Sequence, residues 1–149
     1  MNNIKKYPVT YTLLALCILT YIGTTLLFSM DMNAMQGLAC GGFNPYYVQI
    51  THQYYRLITA NFIHFGLMHI VVNCYSMYNL SCFVEYLMGS KKYLIVILAS
   101  MLSTTGLPYI AYLLLGIGAH TVGSFLESLV LSVHFICSIL HSFAILQET

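Results

Sequence analysis

Residues 62 to 73 read Phe62-Ile63-His64-Phe65-Gly66-Leu67-Met68-His69-Ile70-Val71-Val72-Asn73, an apolar segment with a few polar side chains. His69 and Asn73 are four residues apart, which places both side chains on one face of a helix. Polar side chains at membrane depth are costly without partners and tend to mark function. Such a pair can hold water, hydrogen-bond a neighbouring helix, or bind an anion that forms during a reaction. The purely structural alternative, a polar contact between helices, stays open on these two residues alone.

The composition around this stretch requires a lipid environment. The chain is 59% hydrophobic and only 6% charged, and its mean hydropathy is +0.80, whereas a soluble domain is about a quarter charged. In lipid, long apolar runs form helices because a helix satisfies its own backbone hydrogen bonds. We therefore expect an all-α, polytopic transmembrane helix bundle, and we interpret the first apolar run as a retained span and not a cleaved signal peptide.

The remaining composition argues against several kinds of site. The five cysteines are an odd number without a CxxC pair, so neither a metal site nor a disulfide is expected. A net charge of +1 gives no support for nucleic-acid binding. We expect no cofactor, and the expected partners are the lipid bilayer and the transmembrane helices of other membrane proteins.

The apolar runs predict four spans. They cover residues 9–29, 61–88, 93–115 and 122–146, and each is close to the ~20 residues that cross the hydrocarbon core. The connection over residues 30–57 is long and rich in tyrosine, which is typical of a loop at the lipid–water interface. Loops of this length often carry function.

Basic residues set the expected orientation. Lys5 and Lys6 precede the first span, and Lys91 and Lys92 lie between the second and third. The loops on the other side contain one basic residue, Arg56. The positive-inside rule then places both termini in the cytoplasm. We expect a multi-pass protein of the plasma membrane with its long loop outside.

From Tyr55 onward the sequence resembles the rhomboid family of intramembrane serine proteases. The matching residues are Tyr55-Arg56-Leu57-Ile58-Thr59-Ala60-Asn61-Phe62-Ile63-His64, then His69-x-x-x-Asn73, then Glu85-x-x-x-Gly89. The family pattern reads aromatic-Arg-Leu-x-T-x-x-F-x-H and leads into a second span with H-x-x-x-N. The resemblance implies a bundle of the rhomboid type, with about four of the usual six spans.

The resemblance also implies roles for individual residues. His69 and Asn73 would stabilise the tetrahedral oxyanion, because preorganised donors in a water-poor site provide this kind of catalysis. His64 would line the mouth of the cavity. Arg56 and Glu85 match positions that we interpret as structural, although Glu85 also fits a charge at a helix end that reaches for water.

The family pattern breaks after Gly123. The family has its nucleophile in G-x-S-G at the start of the fourth span, but here Ser124 is followed by Phe125. Ser124 is therefore a weak nucleophile candidate, and the histidine that activates the serine, on a sixth span in the family, has no counterpart. Degenerate codons for residues 124–135, when read one base earlier, allow translations of the family type. We therefore expect a rhomboid-like domain over residues 1–123 and a divergent, frameshifted apolar tail over residues 124–149.

These observations predict a rhomboid-family protein of the intramembrane serine endopeptidase class, in a truncated and inactive form. The chemistry of the class is acyl transfer to serine and needs no metal. The alternative from another class is a non-catalytic rhomboid-like protein that binds transmembrane helices. An inactive gene remnant is a third reading, and a channel is disfavoured because the sequence shows no ring of charges.

Overall fold

The computed structural model describes residues 3–116, and the side chains from residue 5 onward. These residues form helices and connecting turns, without a strand. In chain order the helices are α1 (Asn3–Lys6), α2 (Pro8–Leu27), α3 (Ala34–Ala39), α4 (Pro45–Thr51), α5 (Arg56–Thr59), a 3-10 helix (Ala60–Phe62), α6 (Leu67–Met88) and α7 (Ser90–Leu115).

Three of these helices are long and apolar enough to cross a membrane. They are α2, α6 and α7, with 20, 22 and 26 residues, and at about 1.5 Å per residue each reaches the ~30 Å of the hydrocarbon core. The expected all-α membrane bundle is thereby confirmed. The fourth apolar run, over residues 122–146, lies outside the described residues.

The second span begins later than expected, at Leu67 and not at residue 61. The chain leaves the 3-10 helix at Phe62 and bends at Phe65 and Gly66 before α6, with Gly66 at φ −167° and ψ 165°. In this turn the carbonyl of Phe65 accepts a hydrogen bond of 2.9 Å from the backbone N–H of Met32. A Cβ on Gly66 would lie 2.7 Å from Oδ1 of Asp31, so a larger residue here would move the side chain of Asp31.

The long connection between α2 and α6 is folded. Asn33 caps α3 by accepting the N–H of Gln36 at 2.9 Å, and Asn44 caps α4 by accepting the N–H of Tyr47 at 2.8 Å. A Cβ on Gly37 would overlap the ring of Phe65. Helix α3 therefore packs against the turn before α6, and α4 packs against α7.

The core of the described part lies where α2, α6 and α7 meet. Leu13, Val84 and Tyr93 form its centre, one residue from each helix. Most of the surface of α7 faces outward, which suits a helix in lipid. The core therefore lies at the end of the bundle where α6 passes into α7. His69 and Asn73 lie toward the other end of α6.

Candidate functional site

The candidate site is built on the first turns of α6. His69 lies in the first turn, and Asn73 follows four residues later on the same face. Asn73 is only 1% exposed. Neither Oδ1 nor Nδ2 of its amide has a hydrogen-bond partner among the described residues. Leaving a buried polar group unsatisfied costs about 1–3 kcal/mol, so this amide is a candidate for ligand binding.

His64 lies next to His69. The ring centroids of the two histidines are 5.2 Å apart and the ring planes meet at 64°. His64 is fully buried, and its Nδ1 lies 3.0 Å from the carbonyl oxygen of Phe62. Because a carbonyl oxygen only accepts, Nδ1 carries the proton in the neutral ring. The structure thus brings together His64, His69 and Asn73.

Burial sets the charge of this cluster. His64 lies in the turn before α6, outside the membrane-spanning segment, and burial lowers its pKa to about 4. The nearby ring of His69 lowers the pKa of His64 further, while the hydrogen bond to Phe62 opposes the shift. His64 is therefore neutral at pH 7, and it adds no fixed charge beside His69.

Neutral donors in a buried site are suited to an anion that exists only briefly. The side chain of Asn73 carries two N–H donors, and an imidazole carries one. In a low-dielectric environment their interaction with a developing negative charge is strong. Within residues 5–116 no group of three or more His, Cys, Asp or Glu residues could hold a metal ion.

Arg56 lies in the outer loop, apart from the histidine cluster. It is 4% exposed, and its Nη1 donates to the carbonyls of Leu38 at 2.6 Å and Gly42 at 2.9 Å. Its guanidinium also lies 4.7 Å from the ring centroid of Tyr47. These contacts join α5 to the loop around α3, which is the geometry of a structural residue.

Glu85 lies at the opposite end of α6 and is 2% exposed. Its carboxylate accepts the backbone N–H groups of Val9 at 3.1 Å and Thr10 at 2.9 Å, and the hydroxyl of Thr10 at 2.7 Å. These N–H groups belong to the first turn of α2, where a helix has no internal partners for them. Glu85 therefore caps α2 from a neighbouring helix and does not reach for water.

A polar contact between the loop and α7 was not expected from the sequence. Asn61 accepts the hydroxyl of Thr104 at 3.1 Å through Oδ1, and its Nδ2 lies 3.4 Å from the carbonyl of Met101. The hydroxyl of Thr105 donates to the carbonyl of Leu57 at 2.6 Å. The available signal was the pair Thr104-Thr105 inside an otherwise apolar run, and both hydroxyls contact the loop.

The remaining candidate, Ser124, lies outside the described residues. No geometry therefore relates it to the cluster of His64, His69 and Asn73. Its place as a nucleophile candidate stays a prediction.

The comparisons with known proteins fit this arrangement. The family model described as "Rhomboid domain" matches residues 51–133, which is more than half of the chain and includes every residue of the cluster. The chain is 33% identical over 95 residues to the rhomboid protease GlpG of Salmonella choleraesuis (strain SC-B67), and equally to that of Salmonella typhimurium (strain LT2). The aligned part is 64% of this chain but only 32% of either relative.

No solved structure matches the chain. The family match continues to residue 133, beyond the boundary that we placed after residue 123. The division into a domain and a divergent tail stays a prediction. The family itself follows from the extent of the model match: this chain is a membrane protein of the rhomboid family.

Proposed function

We propose that α6 of this chain carries the oxyanion-binding side of an intramembrane serine endopeptidase site, formed by His69 and Asn73. The observation that carries the proposal is the buried amide of Asn73, whose two polar atoms have no hydrogen-bond partner within the described part of the chain. An amide that only joined two helices would have a partner. Nδ2 of Asn73, which has no acceptor among the described residues, is instead available to a reaction intermediate.

The chemistry that fits these donors is acyl transfer. When a serine hydroxyl attacks a peptide carbonyl, the carbonyl oxygen becomes an oxyanion and needs donors at hydrogen-bond distance. Nδ2 of Asn73 and a ring N–H of His69 can donate to that oxygen. His64 lies behind His69 with its Nδ1 proton on the carbonyl of Phe62, so it limits the positions that the His69 ring can take.

We further propose that the 149-residue chain has no serine protease activity. A serine hydroxyl is a poor nucleophile without a positioned base, and the sequence lacks G-x-S-G. At Ser124 the next residue is Phe125, whose side chain prevents the close backbone approach that glycine allows. The oxyanion donors alone have no attack to stabilise.

A fluorophosphonate probe tests this proposal. Purified protein in liposomes is incubated with the probe and with a model transmembrane substrate, and we expect neither labelling nor cleavage. Ser124→Ala and Ser128→Ala serve as a matched pair. Labelling and cleavage that Ser124→Ala abolishes and Ser128→Ala preserves would contradict the proposal and make Ser124 the nucleophile.

A non-catalytic function is the second candidate, in which the chain binds transmembrane helices of other proteins. The missing G-x-S-G favours it. The same liposome experiment separates the two. Substrate that co-purifies with the protein uncleaved, and to the same extent with Asn73→Ala, would support a binding function that does not use the oxyanion donors.

A further inference from the structure

Four lysines lie at one end of the bundle. Lys5 and Lys6 directly precede α2, and Lys91 and Lys92 are in the first turn of α7. The contact of Glu85 with the first turn of α2 places the start of α2 beside the end of α6, and α7 begins two residues after α6 ends. We refer to Lys5, Lys6, Lys91 and Lys92 as the lysine surface.

The charge of the lysine surface is not neutralised within the described part of the chain. All four lysines are exposed. The described acidic residues are Asp31, which lies beyond the far end of α2, and Glu85, which is buried and hydrogen-bonded to α2. The remaining cation of the sequence, Arg56, is buried in the outer loop. Exposed positive charge is therefore concentrated at a single end.

Aromatic rings fix part of this surface. The ammonium of Lys6 lies 5.2 Å from the ring centroid of Tyr7 and 5.0 Å from that of Tyr86 on α6. Cation–π contacts at exposed sites contribute about 0.5–1 kcal/mol. All three membrane-length helices thus take part in one surface: α2 through the lysines before it, α6 through Tyr86, and α7 through its own lysines.

The depth of the lysine surface identifies its partner. Lys6 lies two residues before the start of α2 and Lys91 is the second residue of α7, so both lie at the end of a membrane-length helix. This is the level of the lipid headgroups, where tyrosines also concentrate. The nearest anions at that level are lipid phosphates.

We propose that the lysine surface binds the headgroups of anionic phospholipids in preference to zwitterionic ones. The attraction is electrostatic, because neighbouring ammonium groups face a layer of negative charge. The proposal does not depend on proteolytic activity or on the oxyanion donors, which lie toward the other end of α6.

Lipid retention measured by native mass spectrometry tests the proposal. The full chain is placed in nanodiscs with equal amounts of phosphatidylglycerol and phosphatidylcholine, and the lipids that stay bound are counted. We expect phosphatidylglycerol in excess. In the triple variant Lys6→Gln, Lys91→Gln, Lys92→Gln, we expect the excess of phosphatidylglycerol to fall about fivefold per lysine removed. In the wild type, we expect the same excess to fall at high salt.

The matched control replaces the same three lysines by arginine, which keeps the charge and should keep the excess. Circular dichroism shows whether all variants retain their helices. Equal retention of both lipids by the wild type, or an unchanged excess in the folded glutamine variant, would overturn the proposal. Equal retention together with binding of a soluble polyglutamate peptide would assign the surface to an acidic protein instead.

Discussion

Asn73 and His64 show how differently two buried polar residues can be used at the scale of single side chains. Nδ1 of His64 lies 3.0 Å from the carbonyl oxygen of Phe62, whereas the amide of Asn73 has no hydrogen-bond partner in the described part of the chain. The H-x-x-x-N spacing predicted the shared helix face of His69 and Asn73. It did not predict that His64 lies in a turn before the helix, because that turn is held by a hydrogen bond from the distant backbone N–H of Met32 to the carbonyl of Phe65.

The depressed pKa of His64 predicts a dependence of stability on pH. Its folded pKa is about 4, below the usual value of about 6.5 for the unfolded chain, so the unfolded state binds the proton first. The contribution of the buried neutral ring to the free energy of unfolding is fully present above about pH 6.5. It is lost as the pH falls toward 4. The loss is at most about 3 kcal/mol.

Thermal unfolding in detergent between pH 7 and pH 4 measures this dependence. His64→Asn should flatten it, whereas His52→Asn at an exposed position should leave it as in the wild type. Asparagine suits the control because His52 has φ 56°, a left-handed conformation that asparagine tolerates. An equal flattening by both variants would assign the dependence to other groups.

At the scale of elements, the spans followed from apolar length but their contacts did not. Residues 61–66 look like the start of a span because Phe62, Ile63 and Phe65 are apolar, yet they form a 3-10 turn and an extended connection. Similarly, Glu85 fits a helix end near water by sequence. Only the packing of α2 against α6 shows that its carboxylate accepts backbone N–H groups 76 and 75 residues away.

The cap between Glu85 and α2 predicts a selective loss of stability. Glu85→Ala removes the acceptor of three donors, and Thr10→Val removes one of those donors. Helix caps contribute about 0.5–2 kcal/mol, so we expect Glu85→Ala to cost about 2 kcal/mol and Thr10→Val less. The free energy of unfolding in mixed micelles measures both.

Thr12→Val is the matched control, because Thr12 is exposed on the same helix and its hydroxyl contacts only the carbonyl of Pro8. We expect the stability of this variant to match the wild type. If Thr12→Val cost as much as Thr10→Val, the loss would reflect valine in the helix and not the cap.

At the scale of the whole molecule, the sequence predicted a membrane bundle of the rhomboid type because composition and motif agree. The arrangement of lysines predicts its orientation, with the lysine surface in the cytoplasm and the α3–α4 loop outside. Cys40 is the native thiol in that loop, but burial raises its pKa and slows its reaction. Met35, which is 75% exposed on α3, is a better position for a label.

Labelling of intact cells with a membrane-impermeant maleimide measures this orientation. Met35→Cys should be modified from outside, whereas Lys91→Cys should be modified only after the membrane is permeabilised. Modification of Lys91→Cys in intact cells would reverse the assigned orientation.

A chimera measures whether His69 and Asn73 form an oxyanion-binding site. Residues 1–123 of this chain are joined to the corresponding C-terminal part of the rhomboid protease GlpG of Salmonella typhimurium, to supply the nucleophile and its base. The rate of cleavage of a transmembrane substrate is then compared between the chimera, its Asn73→Ala variant and its Asn79→Ala variant. Asn79 is exposed on the same helix.

We predict that Asn73→Ala lowers kcat about 10²–10³-fold while Asn79→Ala cleaves at the rate of the parent. Equal rates for all three, or a folded chimera that cleaves nothing, would contradict the account.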